Sequence, residues 1–175
     1  TDSLFVLDES KKQLRIKGLK GNDNQLVLSL FRGFSSPIDY KSDLKKDDYL
    51  FLLSNDDDYF SRWESGQILM RQIINNRVNN NPDSELENCF INSIGKFIVN
   101  SGLKESSFLS SLLTIPGLSE LERSQTEVNP SAINRAFLRF QCSIGLRLFD
   151  NLKPLLEEVR ANIDQSWPKG QGERK

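Results

Sequence analysis

Three consecutive carboxylates, Asp56, Asp57 and Asp58, are the first residues whose types suggest a chemical site. Clustered carboxylates can hold a hard cation, but a calcium loop also needs a glycine at its bend and a later bidentate glutamate. Neither follows here. Just before a helix the same residues act as caps, accepting backbone N–H groups at the positive end of the helix dipole, and the cluster is read that way. Cys89 and Cys142 could be thiol nucleophiles or metal ligands. With no CxxC pair and no histidine beside them, they read as small buried apolar residues inside helical patterns. Arg62 beside Trp63 could make an anion or cation–π contact, although packing at a helix start is the simpler role. Glu85 with Glu87, and Glu157 with Glu158, could be drawn as acid/base pairs. Helical neighbours at such spacings do not face each other, so all four read as solvated. Gly170-Gln171-Gly172 is too short for a phosphate loop and follows no strand.

The chain contains no histidine. A Ser-His-Asp or Cys-His arrangement is therefore impossible within it, as is any zinc site that uses histidine. No residue is assigned a catalytic, cofactor-binding or metal-ligating role. Lys and Arg number 23 against 24 Asp and Glu, a net charge of −1. That balance offers no footprint for nucleic acid and no basic face for an anionic membrane. No apolar run approaches the roughly 20 residues that span a bilayer. The start, "TDSLFVLDES", lacks the features of a signal peptide, so a cytoplasmic setting is expected. Beginning on Thr1 suits a fragment or processed product.

The elements that would position these residues fall into two styles. "SLFVL" (Ser3 to Leu7), "QLRI" (Gln13 to Ile16) and "LVLSLF" (Leu26 to Phe31) read as strands separated by turn chemistry. Three strands alone leave an open edge and an uncovered apolar face, so they read as the closing strands of a larger sheet. "RGFSSP" (Arg32 to Pro37) then ends the β style, because Pro37 donates to no ladder and Gly33 permits a bend. From Asp39 onward the period is helical. Tyr49, Leu50, Leu52 and Leu53 mark a short first helix. A second runs from about Tyr59 to Asn76, with Trp63, Met70, Ile73 and Ile74 on one face.

Ser84 and Glu87 have capping-box spacing and open a third helix, striped by Leu86, Phe90, Ile94, Phe97 and Ile98 and stopped by Gly102. "SSFLSSLL" and the segment around Leu118 and Leu121 form shorter pieces. Asn129-Pro130 launches a long helix, which Pro154 restarts or kinks. The expected fold is mainly α with a small β part: a few antiparallel strands of a truncated β-sandwich over 1–38, then an array of antiparallel helix pairs over 39–175.

Four segments in order carry a resemblance. "SLFRGFSSPI" (Ser29 to Ile38), "FSRWESGQ" (Phe60 to Gln67), "LLTIPGLSEL" (Leu112 to Leu121) and "VNPSAINRAF" (Val128 to Phe137) are similar to consecutive motifs of the bacterial aminopeptidase N family, zinc-dependent alanyl aminopeptidases of the gluzincin group. "FVLDESKKQLRI" also fits that family's last sandwich hairpin. Asn129 stands where the family usually has Asp, Pro154 lies inside a helix, and the tail diverges.

The resemblance implies the end of an Ig-like β-sandwich domain followed by the start of a helical C-terminal domain. The parent would be a zinc metallopeptidase removing N-terminal residues from peptides, with this segment as scaffold and active-site cap. The family's His-Glu-x-x-His and Gly-x-Met-Glu-Asn motifs have no counterpart here, so its zinc would be bound outside this segment and none within it. Implied partners are peptide substrates, met through the catalytic domain, and the sandwich and catalytic domains themselves, with no nucleic acid and no membrane. The competing reading is a stand-alone helical interaction module without enzymatic activity.

Overall fold

In the computed structural model, residues 4–15, 26–35 and 40–166 are described, with side chains through 161. Six α-helices make up most of them: α1 (Lys46–Asn55), α2 (Tyr59–Val78), α3 (Ser84–Ser101), α4 (Ser106–Leu113), α5 (Leu118–Arg123) and α6 (Pro130–Ser166). Short 3-10 turns occupy Arg32–Phe34 and Gly102–Glu105.

Local chemistry explains most of the boundaries. The Asp58 carboxylate accepts the Ser61 N–H at 2.8 Å and starts α2. Asn129 accepts the Ala132 N–H at 3.0 Å, and Pro130 stands in the first turn of α6, where a missing N–H removes no helical bond. Gly102, at φ 55, ends α3 in a conformation that disfavours a Cβ. α4 coincides with "SSFLSSLL", and α6 runs through Pro154 as one helix rather than restarting.

The start of α3 differs from the capping box expected at Ser84 and Glu87. Asp83 is the cap, accepting the Leu86 N–H at 2.9 Å, and Ser84 is the first helical residue. Glu87 is thereby free to act elsewhere.

The array is built around α2, which packs against α1, α3, α4, α6 and the Arg32–Phe34 turn. Leu69, Met70, Ile73 and Ile74 of α2 meet Leu53, Phe90, Ile94, Leu112, Leu121 and Phe140 in one continuous core. Phe90 and Phe140 join α3 to α6 with ring centroids 6.1 Å apart. The expected apolar stripes of α2 and α3 face this core, with Trp63 and Phe97 half-buried at its margin.

Among the described residues the expected strands are not found. Residues 4–7, 13–15 and 26–30 carry neither helix nor sheet ladder, while Ser3, Ile16 and Pro37 lie outside the described residues. A strand exists only by pairing, and these stretches meet no partner ladder among the described residues. Val27 packs onto the helical core, whereas Leu4, Val6 and Leu28 are exposed.

Phe140 has no solvent exposure, so Phe140→Ala is expected to lower unfolding free energy by about 3–5 kcal/mol. Val99→Ala, at a position 69% exposed, should change it by less than about 0.5 kcal/mol. Urea unfolding of both variants is the check, and equal losses would contradict this placement of the core.

Candidate functional site

Two polar centres stand out from the helical packing. The first is the joint that leads into the array. Phe31, Gly33 and Phe34 all have positive φ, at 54, 63 and 55 degrees. Only glycine adopts that region freely, and the left-handed conformation costs a residue with a Cβ about 1–2 kcal/mol. The strain is held by specific contacts. Arg32 Nη1 donates to Asp56 Oδ1 at 2.7 Å, and Nη2 donates to Asp57. The Gly33 N–H donates to Asp58 Oδ1 at 2.9 Å. Phe31 packs on Tyr40 and Phe34 on Phe60, at centroid distances of 4.9 and 5.0 Å.

The carboxylate cluster is thus both a helix cap and the socket for Arg32. Asp58 caps α2, and Asp56 Oδ1 also accepts the Asp58 N–H at 2.9 Å. The hydrogen bond and charge of Arg32 hold the Asp57 carboxyl below its usual range. Burial pushes the Asp58 carboxyl up, but the N–H groups of Ser61 and Gly33, the Ser61 hydroxyl and the Arg32 charge outweigh it, so its pKa is lowered. The guanidinium occupies the place a cation would take. Sequence reading found the cap and missed this partner, which lies 24 residues upstream of Asp56.

The second centre is Glu87. It is buried, not solvated as its spacing from Glu85 suggests. Arg77 at the end of α2 donates to it through Nε at 3.1 Å and Nη2 at 2.7 Å, and the Ser143 hydroxyl of α6 donates at 2.6 Å. The group therefore ties α2, α3 and α6 together. A helical wheel carries the signal: Glu87 shares a face with Ile91, Ile94 and Ile98.

The remaining candidates scatter. Cys89 and Cys142 are both exposed, correcting the expectation of burial. Each lies off its helix's core stripe, Cys142 being two residues from Phe140 and so on the far side of α6. Arg62 does make a cation–π contact, but with Phe97 and Phe108, at 4.5 and 5.3 Å from the ring centroids, while its Nε donates to the Leu53 carbonyl at 3.0 Å. Glu85, Glu157 and Glu158 are exposed, and Gly170 to Gly172 lie outside the described residues. Among the described residues no three His, Cys, Asp or Glu side chains converge as metal ligands would. No helix there is long and apolar enough to cross a membrane. The arrangement holds helices in place, and it aligns no nucleophile with a base.

Loss of the Asp58 cap through Asp58→Ala is expected to remove about 1 kcal/mol at pH 7. Its folded pKa lies below the usual 3.8, so that contribution is complete above 3.8 and disappears as pH falls through the folded value. Urea unfolding of wild type and variant should therefore converge at strongly acid pH; a constant gap would show that the charge has no part in it. For the second centre, Glu87→Leu strands the Arg77 charge and should cost about 2–3 kcal/mol, an amount moderated by Arg77 reaching water. Arg77→Met combined with Glu87→Leu should recover most of that loss. Simple additivity in a double-mutant cycle would rule out the coupling.

Three comparisons bear on this geometry. Residues 46–175 match a family model described as "Domain of unknown function (DUF3458_C) ARM repeats". Aminopeptidase N of Caulobacter vibrioides is 32% identical over 91% of this chain and 18% of its own length. Aminopeptidase N of Haemophilus influenzae is 25% identical over 78% of this chain and 16% of its own. A crystal structure of Legionella pneumophila aminopeptidase A in complex with aspartic acid superimposes with a TM-score of 0.63 and 26% identity, covering 75% of this chain and 15% of that one. The chain thus spans less than a fifth of the length of these relatives. The resemblance read from four short motifs extends along most of the chain, and the chain belongs to the ARM-repeat domain family DUF3458_C.

Proposed function

We propose that this chain is a non-catalytic C-terminal region of a zinc-dependent, cytoplasmic aminopeptidase that removes N-terminal residues from peptides. Its helices would act as scaffold and as a cap limiting access to the catalytic cleft. The observation that carries this reading is the match to aminopeptidase N along 91% of the chain, which spans the joint and the helical array alike.

The physical features agree with a supporting role. Polar centres at Arg32 and Glu87 are neutralised and used to fix helices. With no histidine, the chain does not fit the zinc site that the resemblance implies. The metal and the general base would therefore lie elsewhere in the parent, and no chemical step is routed through this segment. Residues 1–38 would be the last strands of the sandwich, completed by partner strands from the rest of the protein. That completion would cover Leu4, Val6 and Leu28, whose exposure here is otherwise unfavourable. The same surfaces would pack against the sandwich and catalytic domains.

The test is to read the natural coding sequence upstream of Thr1 and assay both products. The longer protein should contain His-Glu-x-x-His and Gly-x-Met-Glu-Asn motifs and hydrolyse an aminoacyl arylamide in a chelator-sensitive manner. The 175-residue chain with added zinc should show no turnover. A start codon at this point, or chelator-sensitive activity from the purified chain alone, would overturn the reading; the former would favour a stand-alone interaction module.

A further inference from the structure

Arg62, in the first turn of α2, differs from the arginines that fasten the helices together. Arg32, Arg71 and Arg77 each end in an ion pair with an aspartate or glutamate. Arg62 makes no ion pair among the described residues, and its hydrogen bonding there consists of the Nε bond to the Leu53 carbonyl at 3.0 Å. A guanidinium has five N–H donors, so the N–H groups of both terminal amino groups are left over. Neither amino nitrogen is enclosed without a partner, which means that both reach the surface.

The group is also held in one orientation. Its carbon lies 4.5 Å from the Phe97 ring centroid and 5.3 Å from that of Phe108. Those two rings meet edge to face at 5.5 Å, and Tyr59 packs on Phe108 at 4.7 Å. Burial among them pushes the guanidinium below the ordinary arginine range, although it remains a cation. The carboxylates whose charge it feels are already engaged: Glu105 accepts the Tyr59 hydroxyl at 2.7 Å, and Asp56 accepts from Arg32. Packing and the Leu53 bond account for the stem and one donor. They do not account for the open fork, whose parallel N–H groups match the two oxygens of a carboxylate. Tyr59, half-exposed, offers apolar surface beside it.

We propose that Arg62 and the rings of Tyr59, Phe97 and Phe108 form a binding site for a free organic carboxylate carried on an apolar body. The carboxylate would bridge the two amino groups of Arg62 while its apolar part lies against the aromatic rim. The site is complete within this chain, so the inference does not rest on the function proposed above.

Phenylglyoxal labelling of the 175-residue chain, mapped by peptide mass spectrometry at constant ionic strength, reads the fork directly. Benzoate is the probe, and it should slow modification of Arg62 roughly fivefold or more, with the exposed Arg135 as an unchanged reference. Benzyl alcohol, which has the ring without the charge, should give no protection. Glu105→Gln leaves Arg62 and its Leu53 bond in place but removes a like charge near the ligand, so half-protection should need about threefold less benzoate. Absence of protection by benzoate, equal protection by benzyl alcohol, or an Arg62 that does not react at all would each overturn the proposal. In the native longer protein the same benzoate-dependent protection is expected. Full protection there without benzoate would also overturn it, by showing that another part of the polypeptide covers the fork.

Discussion

A helix surrounded by neighbours on several sides cannot keep an ordinary polar face, and α2 is under that constraint. Its buried residues include Ser61, Ser65, Gly66 and Gln67 as well as Leu69, Met70, Ile73 and Ile74. Each polar or small residue has a packing reason where the contacts are resolved. Gln67 donates to the Thr114 carbonyl at 2.9 Å, which satisfies its amide and fixes the end of α4. Gly66 lets α4 approach so closely that a Cβ would come within 2.9 Å of the Leu112 side chain. Ser61 shares its hydroxyl between Asp58 and Ser29. The placement of α1, α3, α4 and α6 follows from what α2 permits on each side.

The two polar centres sit at opposite ends of this helix. At its N-terminus, Asp58 joins the cap to the incoming joint, and Arg32 closes the cluster. At its C-terminus, Arg77 reaches Glu87 and, through it, α6. Charged pairs of this kind add little net stability compared with well-packed apolar groups, but removing one partner is costly. Their effect is therefore to make alternative docking of α2 unfavourable. The left-handed Phe31 and Phe34 fit the same logic: a strained backbone persists only where surrounding contacts over-determine it.

Much of the helical array was legible because its signals are local. Asp58, Asn129-Pro130 and Gly102 each act within one turn, and the stripes of α2 and α3 follow from a period of 3.6. What escaped depended on distance or rotation. The Arg32 clamp joins segments far apart in sequence, and no short window contains it. Glu87 was placed by its spacing from Glu85 and the two cysteines by residue type, although their angular positions on α3 and α6 argued the other way. The expected β part is not seen among the described residues for a different reason. "SLFVL" and "LVLSLF" have the right composition, but strand formation depends on partners that the described residues do not supply. Of the candidate site, the capping role of the aspartates was readable, while their second use as a socket was not.

The ion pairs at the joint and at α3 have a consequence for the charge of the whole array. Asp57, Asp58 and Asp83 are displaced to lower pKa and Lys46, paired with Asp83, upward; apart from the ion pairs, burial raises Tyr40 and lowers Arg62, which stays far above neutrality, and the hydrogen bond to Glu105 raises Tyr59. Except at Arg62, these shifts move each group further from neutrality. Histidine, the one side chain that ordinarily titrates between about pH 5 and 8, is absent. The electric field this array presents to whatever packs on it is consequently almost constant across the physiological range. In an assembly containing it, a bell-shaped pH response would have to be written by the other parts.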